Sequence, residues 1–493
     1  MSQKERPAHK IYSFSSDDPE NPTKWSFGKK MLVLIAGLIS ISNSTISSSL
    51  PNGALPYISK EFNVSSDEQL ALPISLFLIG YIFGPIVFAP LSEMYGRKAV
   101  LLPSFTVYTA FTLGCALAPS WSALLAFRFM VGVAASAPYV VIGGVFADIF
   151  ETSLSRGRAI TILLVFMNFG PVIGPIISAY VSPNGWRWTF WTSLIMCGVS
   201  WPLLIFLPGL NISDSVKKLS NLFTETYAPI ILTERARDLR RRNPNYRVYA
   251  PAELESRTIK ETLTVVLARP LRLFAEPIVF FICLFLALLF GIYYMFFEAY
   301  PIIFQDSYGL NPQIASLLYL PIGIGAALDT FVFVWYDAYI AHSKRLRRAW
   351  AFNEEYRRLP LACIGAPLYG LSLFWLGWSS KPQIPWSVPM LSGLTFGIGI
   401  ELTFMALLNY LTDAYTPYAA SVLASSSISR SAFAVLLPIS TKALYGRLGI
   451  AWASSLLGFL ALGLGLVPFV LFHYGAALRK RSKLCQSLET GSK

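Results

Sequence analysis

Five ionisable side chains interrupt long apolar runs of this sequence: Arg128, Glu298, Asp329, Glu401 and Arg430. A charge within such a run is costly to bury, so these positions are the first candidates for function. A buried carboxylate can exchange a proton, and it can also hold a cationic ligand. Glu298 allows three interpretations: titration, binding of a cationic substrate, or capping of its helix. Asp329 is alternatively a partner in a cytoplasmic gate. Which of the five pair with one another is left open.

Aromatic side chains crowd the run that ends at Glu298, with Tyr293, Tyr294 and Phe297 among them. Such a wall suits bulky apolar ligands, or cations placed over the ring faces. The alternative is an ordinary aromatic belt at a membrane interface. Asn43 gives another apolar run a polar patch. We therefore predict that these aromatic residues and Asn43 line a substrate cavity.

The composition indicates a membrane protein. Of 493 residues, 54% are hydrophobic and only 14% are charged, against about 25% charged residues in soluble domains. A spanning helix needs about 20 mainly apolar residues, and the runs here are continuous, which excludes an all-β reading. We predict an all-α integral membrane protein with twelve transmembrane helices. The predicted spans are residues 31–52, 70–91, 99–118, 121–147, 158–182, 187–208, 276–298, 312–337, 360–378, 385–410, 419–440 and 450–473.

The positive charges are distributed on one side. A net charge of +13 would suit a nucleic-acid partner, and RARDLRRRNPNYR (235–247) is the stretch that best fits one. However, Lys and Arg concentrate in the two tails and in the loops of one side, which is the positive-inside pattern. We therefore expect both termini in the cytoplasm and no nucleic acid as partner. Residues 1–30 lack an apolar stretch, so we expect no cleaved signal peptide.

One long polar interruption divides the predicted spans into two sets of six. Two six-span repeats joined by a cytoplasmic linker suggest a cavity between the repeats near the membrane midplane. The predicted divisions are a cytoplasmic tail (1–30), an N-terminal six-helix bundle (31–208), a linker (209–275), a C-terminal six-helix bundle (276–473) and a second cytoplasmic tail (474–493).

Motifs for enzymatic chemistry are absent from the sequence. It contains no GxxxxGK[ST], HExxH or GxSxG pattern, which also excludes an ATP-driven pump within this chain. The three histidines, at 9, 342 and 473, are scattered. The five cysteines are typical of small core residues rather than of a disulfide framework. We expect no catalytic residue, no metal and no cofactor.

The loop between the second and third spans reads APLSEMYGRK (89–98). It resembles the loop signature of the major facilitator superfamily, with Glu93 at the acid position and with Gly96, Arg97 and Lys98 matching. An alanine replaces the usual first glycine. The resemblance implies the major facilitator fold, in which this loop latches one alternating-access state. A carboxylate here can face the positive end of a neighbouring helix. The plainer interpretation is a charged turn that stops a span.

Two Gly-Pro pairs, Gly170-Pro171 and Gly174-Pro175, lie four residues apart in the fifth span. Proline disrupts a soluble helix, whereas in a membrane neighbouring helices satisfy the freed backbone, and small residues allow close approach. The stretch NFGPVIGPIISAY (168–180) resembles the fifth-span signature of the superfamily's drug:proton antiporters. That resemblance implies a bend and a tight interface that favour antiport. The alternative is a packing kink without directional meaning.

Further matches cover nearly the whole chain and are similar to a fungal branch of the 12-span drug:proton antiporters, the polyamine and multidrug exporters. The matching stretches are DDPENPTKWS (17–26), RFMVGVAASAP (128–138), FEAYPIIF (297–304), NYLTDAY (409–415) and SRSAFAVLLP (429–438). By this resemblance Arg128 is the family's span-4 arginine, which is linked to proton coupling. The alternative is a structural pair of Arg128 with a carbonyl or a carboxylate. The resemblance implies export of drugs, polyamines or a fungal metabolite in exchange for protons, by a fold that commonly works as a monomer. We expect the plasma membrane, and the vacuolar membrane stays open because the sequence shows no compartment signal.

Two other functions stay open at this point. A uniporter or importer of the same fold would share most of these features, and the direction of flux would distinguish it. A membrane sensor that transports nothing would show no flux for any ligand.

Two local features are worth testing on their own. Residues 209–224 separate FLP (206–208) from ETYAP (225–229), which the branch usually joins directly. We interpret them as a retained intron or a lineage insertion. Asn63, in Asn63-Val64-Ser65 on the non-cytoplasmic side, is the credible glycosylation acceptor.

Overall fold

The computed structural model is built almost wholly from helices. It describes residues 10–11, 14–15, 18, 21–205, 225–242, 248–254, 270–415 and 419–481. Within these residues, ten helices are long and apolar enough to cross a membrane. The last, Ser421–Gly475, includes Gly449, whose φ of 73° and ψ of 167° interrupt the helix, so it holds two spans. Arg187–Ile205 is a further apolar helix of 19 residues. The described helices therefore match the twelve predicted spans.

The spans are numbered 1 to 12 in chain order. Spans 1 to 6 are Phe27–Ser49, Asp67–Phe83 (continued by a π-helical turn, Gly84–Phe88, and by Ala89–Tyr95), Arg97–Ala116, Trp121–Ile149, Ser153–Val181 and Arg187–Ile205. Spans 7 to 10 are Pro277–Tyr300 (extended by a π-helical segment, Pro301–Ser307), Leu320–Arg345, Glu354–Ser379 and Ser387–Ala414. Spans 11 and 12 lie in Ala419–Leu464, divided at Gly449, and continue into Val467–Arg481. Short helices are Leu55–Phe62, Ala228–Arg242, Pro251–Leu254 and Pro312–Leu317, with 3-10 turns at Pro22–Lys24, Asn52–Ala54, Ser182–Asn184 and Ala349–Phe352.

The spans pack mainly within their own half of the chain. Span 4 packs against spans 2 and 3, and span 1 packs against span 5. In the second half, span 10 packs against spans 8 and 9, and span 7 packs against span 11. The halves meet where span 2 contacts span 11 and where span 5 contacts span 8. The bounds predicted for the tails, bundles and linker stay a prediction.

The Gly-Pro pairs of span 5 face span 1. Cβ atoms at Gly170 and Gly174 would overlap span 1, the second at Ser49 Oγ, so glycine permits this close approach. Pro175 has no N–H and leaves the carbonyl of Pro171 without its helical donor. Ser49 Oγ donates to that carbonyl at 2.6 Å. A neighbouring helix therefore satisfies the backbone that proline frees, which explains how the membrane tolerates this sequence.

The N-terminal tail contacts the linker on the predicted cytoplasmic side. Lys10–Ile11 pairs in parallel with Val248–Tyr249 to form a minimal two-stranded sheet. Asp18 accepts hydrogen bonds from Arg235 on the linker helix Ala228–Arg242. The tail before span 1 is thereby tied to the segment that joins the two halves. The proposed insertion, residues 209–224, lies outside the described residues.

Candidate proton and substrate site

Three of the five intramembrane charges come together in the second half. Asp329 lies on span 8, Glu401 on span 10 and Arg430 on span 11. Asp329 and Arg430 both act electrostatically on the Glu401 carboxylate. Arg128 lies in the first half on span 4, and Glu298 lies near the end of span 7. The packing of three spans therefore supplies a grouping that the sequence left open.

Glu401 and Asp329 are almost completely shielded from water. Asp329 is 0% exposed and Glu401 is 1% exposed. Within the described part of the chain, neither oxygen of Asp329 has a hydrogen-bond partner. Glu401 Oε2 accepts a hydrogen bond from Asn168 Nδ2 at 2.6 Å, whereas Oε1 has no such partner among the described residues. An under-bonded buried acid is costly as a fixed charge, and acids of this kind within membranes mark proton pathways.

Arg430 contacts aromatic rings and lines a small central cavity. Its guanidinium lies 5.4 Å from the ring centre of Phe290 and 5.2 Å from that of Phe404. Its Nε donates to the carbonyl of Ser426 at 3.3 Å. The cavity has a volume of about 20 Å³ and is lined by residues of both halves, which is room for about one water molecule. The centre of the protein is therefore closed in this conformation.

Arg128 is fully buried, and each of its three guanidinium nitrogens donates a hydrogen bond. Nε donates to the Pro73 carbonyl at 2.9 Å, Nη1 to Ser47 at 3.0 Å and Nη2 to Ser48 at 3.2 Å. The ring of Phe77 lies 4.6 Å from the guanidinium carbon. Arg128 thus joins span 4 to spans 1 and 2 through backbone carbonyls. The proton-coupling role that the resemblance implies for Arg128 stays a prediction.

Glu298 lines a separate cavity near the end of span 7. The cavity measures about 320 Å³, and Asp306 and Lys442 also line it. Glu298 is 8% exposed. Next to it, Asn52 Nδ2 donates to the carbonyl of Phe297 at 2.7 Å and joins the end of span 1 to span 7. Glu298 therefore belongs to this cavity, which we call the vestibule, and not to the Asp329–Glu401 pair.

The predicted aromatic wall joins the two halves. Tyr294 lines the central cavity and shares a hydrogen bond of 3.0 Å with Ser48 of span 1. The hydroxyl of Tyr293 donates to the carbonyl of Asn168 on span 5 at 2.7 Å. Phe297 packs against both tyrosine rings. These side chains therefore hold span 7 in contact with spans 1 and 5 of the other half.

Two predicted asparagine sites lie apart from this wall. Asn43 lies between spans 1, 3 and 6, where its Nδ2 donates to Ser200 Oγ at 3.0 Å and its carbonyl accepts from Tyr108 at 3.2 Å. Its predicted place in the substrate cavity stays a prediction. Asn63 is exposed at the end of Leu55–Phe62, with a left-handed φ of 54°, and its glycosylation also stays a prediction.

The start of the linker holds the loop between spans 2 and 3. Gly96 has a φ of 101°, which favours glycine, and a Cβ there would overlap the Glu225 carboxylate. Glu225 accepts hydrogen bonds from the backbone N–H groups of Arg97 at 2.8 Å and Lys98 at 3.2 Å. It therefore caps span 3, where a carboxylate is favoured by the exposed N–H groups. Glu93, the acid expected to act at a helix end, is exposed.

Arg97 ties the same loop to span 4. Its Nε forms an ion pair with Asp148 at 3.1 Å, and its Nη1 donates to Ser92 Oγ at 2.8 Å. The guanidinium also lies 4.7 Å from the ring centre of Tyr227 in the linker. Span 4, the loop and the linker are therefore held by one side chain.

Sequence reasoning gave no role to Asn168, Asp148 or Glu225. Asn168 and Glu225 each begin a stretch that the sequence singled out, NFGPVIGP and ETYAP. The sequence feature that could have identified both residues is that each is a polar residue at the start of such a stretch. Asp148 lies one residue before the end of span 4, and its partner became evident only when the helices were packed.

Comparison with known proteins agrees with this architecture. The Major Facilitator Superfamily model matches residues 37–438. The solved structure of the proton:xylose symporter XylE bound to 6-bromo-6-deoxy-D-glucose has a TM-score of 0.62 at 15% identity, covering 91% of this chain and 96% of that chain. This likeness shows the fold alone.

Fungal transporters are the similar proteins in sequence. The MFS transporter prlG of a fungal species is 35% identical, over 94% of this chain and 95% of that protein. The multidrug transporter mdrA of Aspergillus fumigatus is 36% identical, over 94% of this chain and 74% of that protein. The multidrug transporter FLU1 of Candida albicans is 34% identical, over 96% of this chain and 75% of that protein. This chain therefore belongs to the major facilitator superfamily, and it is a multi-pass membrane transporter and not an enzyme.

Proposed function

We propose that this protein exports small molecules across the plasma membrane in exchange for protons, by alternating access. The observation that carries the proposal is the pair of buried carboxylates, Asp329 and Glu401, beside Arg430 and next to the interface between the halves. The names of similar proteins, which include multidrug transporters and efflux pumps, support export. The substrate classes to test are drugs, polyamines and fungal metabolites.

The charge balance of this group supports exchange. One guanidinium, Arg430, can compensate one of the two neighbouring carboxylates. The remaining negative charge, on Asp329 or Glu401, then needs either a proton or a positively charged substrate. Proton and substrate compete for the same charge, which is the requirement for antiport. Aromatic rings around Arg430 and Tyr294 suit bulky or cationic ligands once the central cavity opens.

Alternating access would be a rocking of the two bundles, 31–208 and 276–473, against each other. The contacts of span 2 with span 11 and of span 5 with span 8 are the surfaces on which such a movement would take place. The loop 89–98, held by Glu225 and Asp148, would be the cytoplasmic latch. The tight packing of the Gly-Pro pairs on span 1 would keep span 5 bound to its own half during the movement.

The orientation that we propose places both termini and the linker in the cytoplasm, with Asn63 outside. The linker helix carries Arg240, Arg241 and Arg242 in its last turn, in agreement with the positive-inside rule. The vestibule lined by Glu298 then opens to the outside. We propose that one copy of the chain carries the whole pathway.

Transport into inside-out vesicles tests this function. Vesicles from efflux-deficient yeast expressing the protein receive an acid interior, and uptake of spermidine, cycloheximide and an azole is measured. We expect uptake of at least one compound, and we expect a protonophore to abolish it. Glu401→Gln removes the charge for which proton and substrate compete, so it should lose this gradient-driven uptake. Glu234→Gln, at an exposed position of the linker helix, is the matched control and should behave as wild type.

Two results would contradict the proposal. Uptake that is unchanged by the protonophore would indicate a uniporter or an importer. Protein that reaches the membrane and moves none of these compounds would contradict export of drugs and polyamines.

A further inference from the structure

Asn168 is held by the opposite half of the protein at two points. Its side-chain Nδ2 donates to Glu401 Oε2 at 2.6 Å, and its carbonyl accepts from the hydroxyl of Tyr293 at 2.7 Å. The same Nδ2 lies 3.3 Å from the carbonyl of Leu164 on its own helix. The amide has two N–H donors and makes both hydrogen bonds at once, so it keeps a partner on span 5 when it leaves Glu401.

The surroundings of Glu401 make Asn168 distinctive. The charged and titratable groups that face this carboxylate in the described structure are Asp329 from span 8, Arg430 from span 11 and Tyr293 from span 7. All three belong to the same half as Glu401. Asn168 is a neutral donor from the other half. Its hydrogen bond therefore reports the state of Glu401 across the interface that must open and close.

The conformation in which this bond exists is closed near the outside. Ser48 and Tyr294 share a hydrogen bond of 3.0 Å between spans 1 and 7, and the central cavity beside Asn168 holds only about 20 Å³. Substrate that entered this cavity would have to displace the side chains that line it, and Asn168 and Arg430 are among them. Substrate binding would therefore compete with the Asn168–Glu401 bond.

The strength of the bond depends on whether Glu401 carries a proton. A hydrogen bond to an ionised carboxylate is roughly twice as strong as one between neutral groups. A proton from water can add to Oε1, which has no hydrogen-bond partner in the described part of the chain. The carboxyl group is then neutral, and Oε2 accepts from Asn168 as an uncharged oxygen. Loss of the proton restores the stronger bond.

We propose that Asn168 is the positioning residue that prevents proton leak, because its bond to ionised Glu401 keeps the empty transporter closed on its outer side. The inference rests on the proposed function, in which Glu401 carries the proton. After the proton leaves on the cytoplasmic side, an antiporter must not return empty, since each such return would carry protons inward without export. The ionised carboxylate forms its strongest bond to Asn168 at that stage of the cycle. Substrate in the central cavity then displaces the amide and permits the return.

A leak assay without any substrate tests this inference. The purified full-length protein is placed in liposomes that contain a pH-sensitive dye, with the membrane potential clamped, and the decay of an imposed pH gradient is followed. Asn168→Leu keeps nearly the same volume and removes the donor. We expect it to dissipate the gradient about tenfold faster than wild type, since a bond to a charged group of this kind contributes enough to change a rate by that factor. Asn168→Ala is measured beside it in case the leucine variant folds poorly.

The double variant Asn168→Leu/Glu401→Gln separates coupling from damage. Without an acid at 401 the leak has no proton carrier, so the double variant should be as tight as wild type. Asn184→Leu, in the exposed turn after span 5, should also be tight. The inference would be overturned if both Asn168 variants dissipate the pH gradient no faster than wild type, or if the faster decay persists without Glu401. The vesicle assay tests the proposed function separately: that function fails if uptake by the wild-type protein does not depend on the pH gradient.

Discussion

The two halves of this transporter bury their charges in opposite ways. In the first half, all three nitrogens of the Arg128 guanidinium donate to backbone carbonyls at 2.9 to 3.2 Å. In the second half, Asp329 has no hydrogen-bond partner within the described residues, and Glu401 has one, which comes from the other half. The three side chains are equally shielded from water, at 0% to 1% exposure. They differ in how completely the protein compensates them.

This difference indicates different tasks. A charge whose hydrogen bonds are all made within one half is fixed, because a guanidinium keeps its proton in proteins and moving it would leave buried carbonyls without a donor. A carboxylate that lacks partners is unstable as a fixed charge and gains from a proton or a cation. We therefore expect the first half to hold its geometry by Arg128 and the second half to exchange protons. Substitutions of single charged residues test this contrast.

The largest expected effect is the loss of Arg128. In Arg128→Met the carbonyls of Pro73, Ser47 and Ser48 lose their donor inside the membrane. Ser47 and Ser48 lie in the last turn of span 1, whereas the Pro73 carbonyl lies inside a helix. Each buried unsatisfied group costs about 1–3 kcal/mol, so folding should become less favourable by at least about 2 kcal/mol. Thermal unfolding in detergent should show a clearly lower midpoint, and less protein should reach the membrane.

Arg128→Lys sharpens the same experiment. A lysine keeps the charge but lacks the planar arrangement of donors that reaches three carbonyls. Its unfolding midpoint should lie between those of wild type and Arg128→Met. A stable Arg128→Met protein that has lost only proton-driven uptake would contradict the structural role and favour direct coupling through Arg128.

A smaller effect of opposite sign is expected for Asp329→Asn. This change removes a charge that has no hydrogen-bond partner among the described residues. The asparagine side chain has nearly the same volume as the aspartate side chain. Because an uncompensated buried carboxylate is unfavourable, the variant should be at least as stable as wild type, and at pH 8 more stable by about 1 kcal/mol. Unfolding midpoints measured at pH 6 and pH 8 check this. A variant that is destabilised as strongly as Arg128→Met would remove the contrast between the halves.

The number and order of the spans were accessible from sequence because each span is a local apolar run of sufficient length. The role of Ser49 was not accessible from the sequence. The Gly-Pro pairs at 170–171 and 174–175 predict that a neighbouring helix satisfies the backbone, but they do not identify span 1 as that neighbour. Identifying Ser49 as the donor to Pro171 requires the packing of two spans that are distant in sequence.

In the candidate site, even more of the contacts join spans that are distant in sequence, so fewer of them could be predicted. Burial in an apolar run was enough to nominate Glu401 and Asp329. Their proximity depends on spans 8 and 10 packing together, and the Asn168 contact depends on the meeting of the two halves. For the loop 89–98, the motif singled out Gly96, whereas the carboxylate that caps span 3 is Glu225, which follows after more than a hundred residues.

The smallest expected effect concerns a well-bonded charge outside the membrane. In the linker, Arg240 donates to both oxygens of Glu253, at 2.7 and 2.9 Å. These hydrogen bonds lower the pKa of Glu253 from 4.5 to about 2. A lowered folded-state pKa stabilises the fold above the unfolded value, and that contribution is lost as pH falls through the folded value. The contact of Pro251–Leu254 with the linker helix should therefore be equal at pH 7 and pH 5 and weaken from about pH 4.5 towards pH 2.

Hydrogen exchange of residues 228–242, corrected for the intrinsic effect of pH, measures this contact. Glu253→Gln should remove the acid-dependent change and cost no more than about 1 kcal/mol at pH 7, because water competes for an ion pair near the surface. A wild-type pH response that persists in Glu253→Gln would assign it to another group. The same degree of hydrogen bonding that makes Arg128 essential to folding should thus contribute little here. The contrast between the two halves therefore depends on bonding within the membrane, where no water replaces a lost partner.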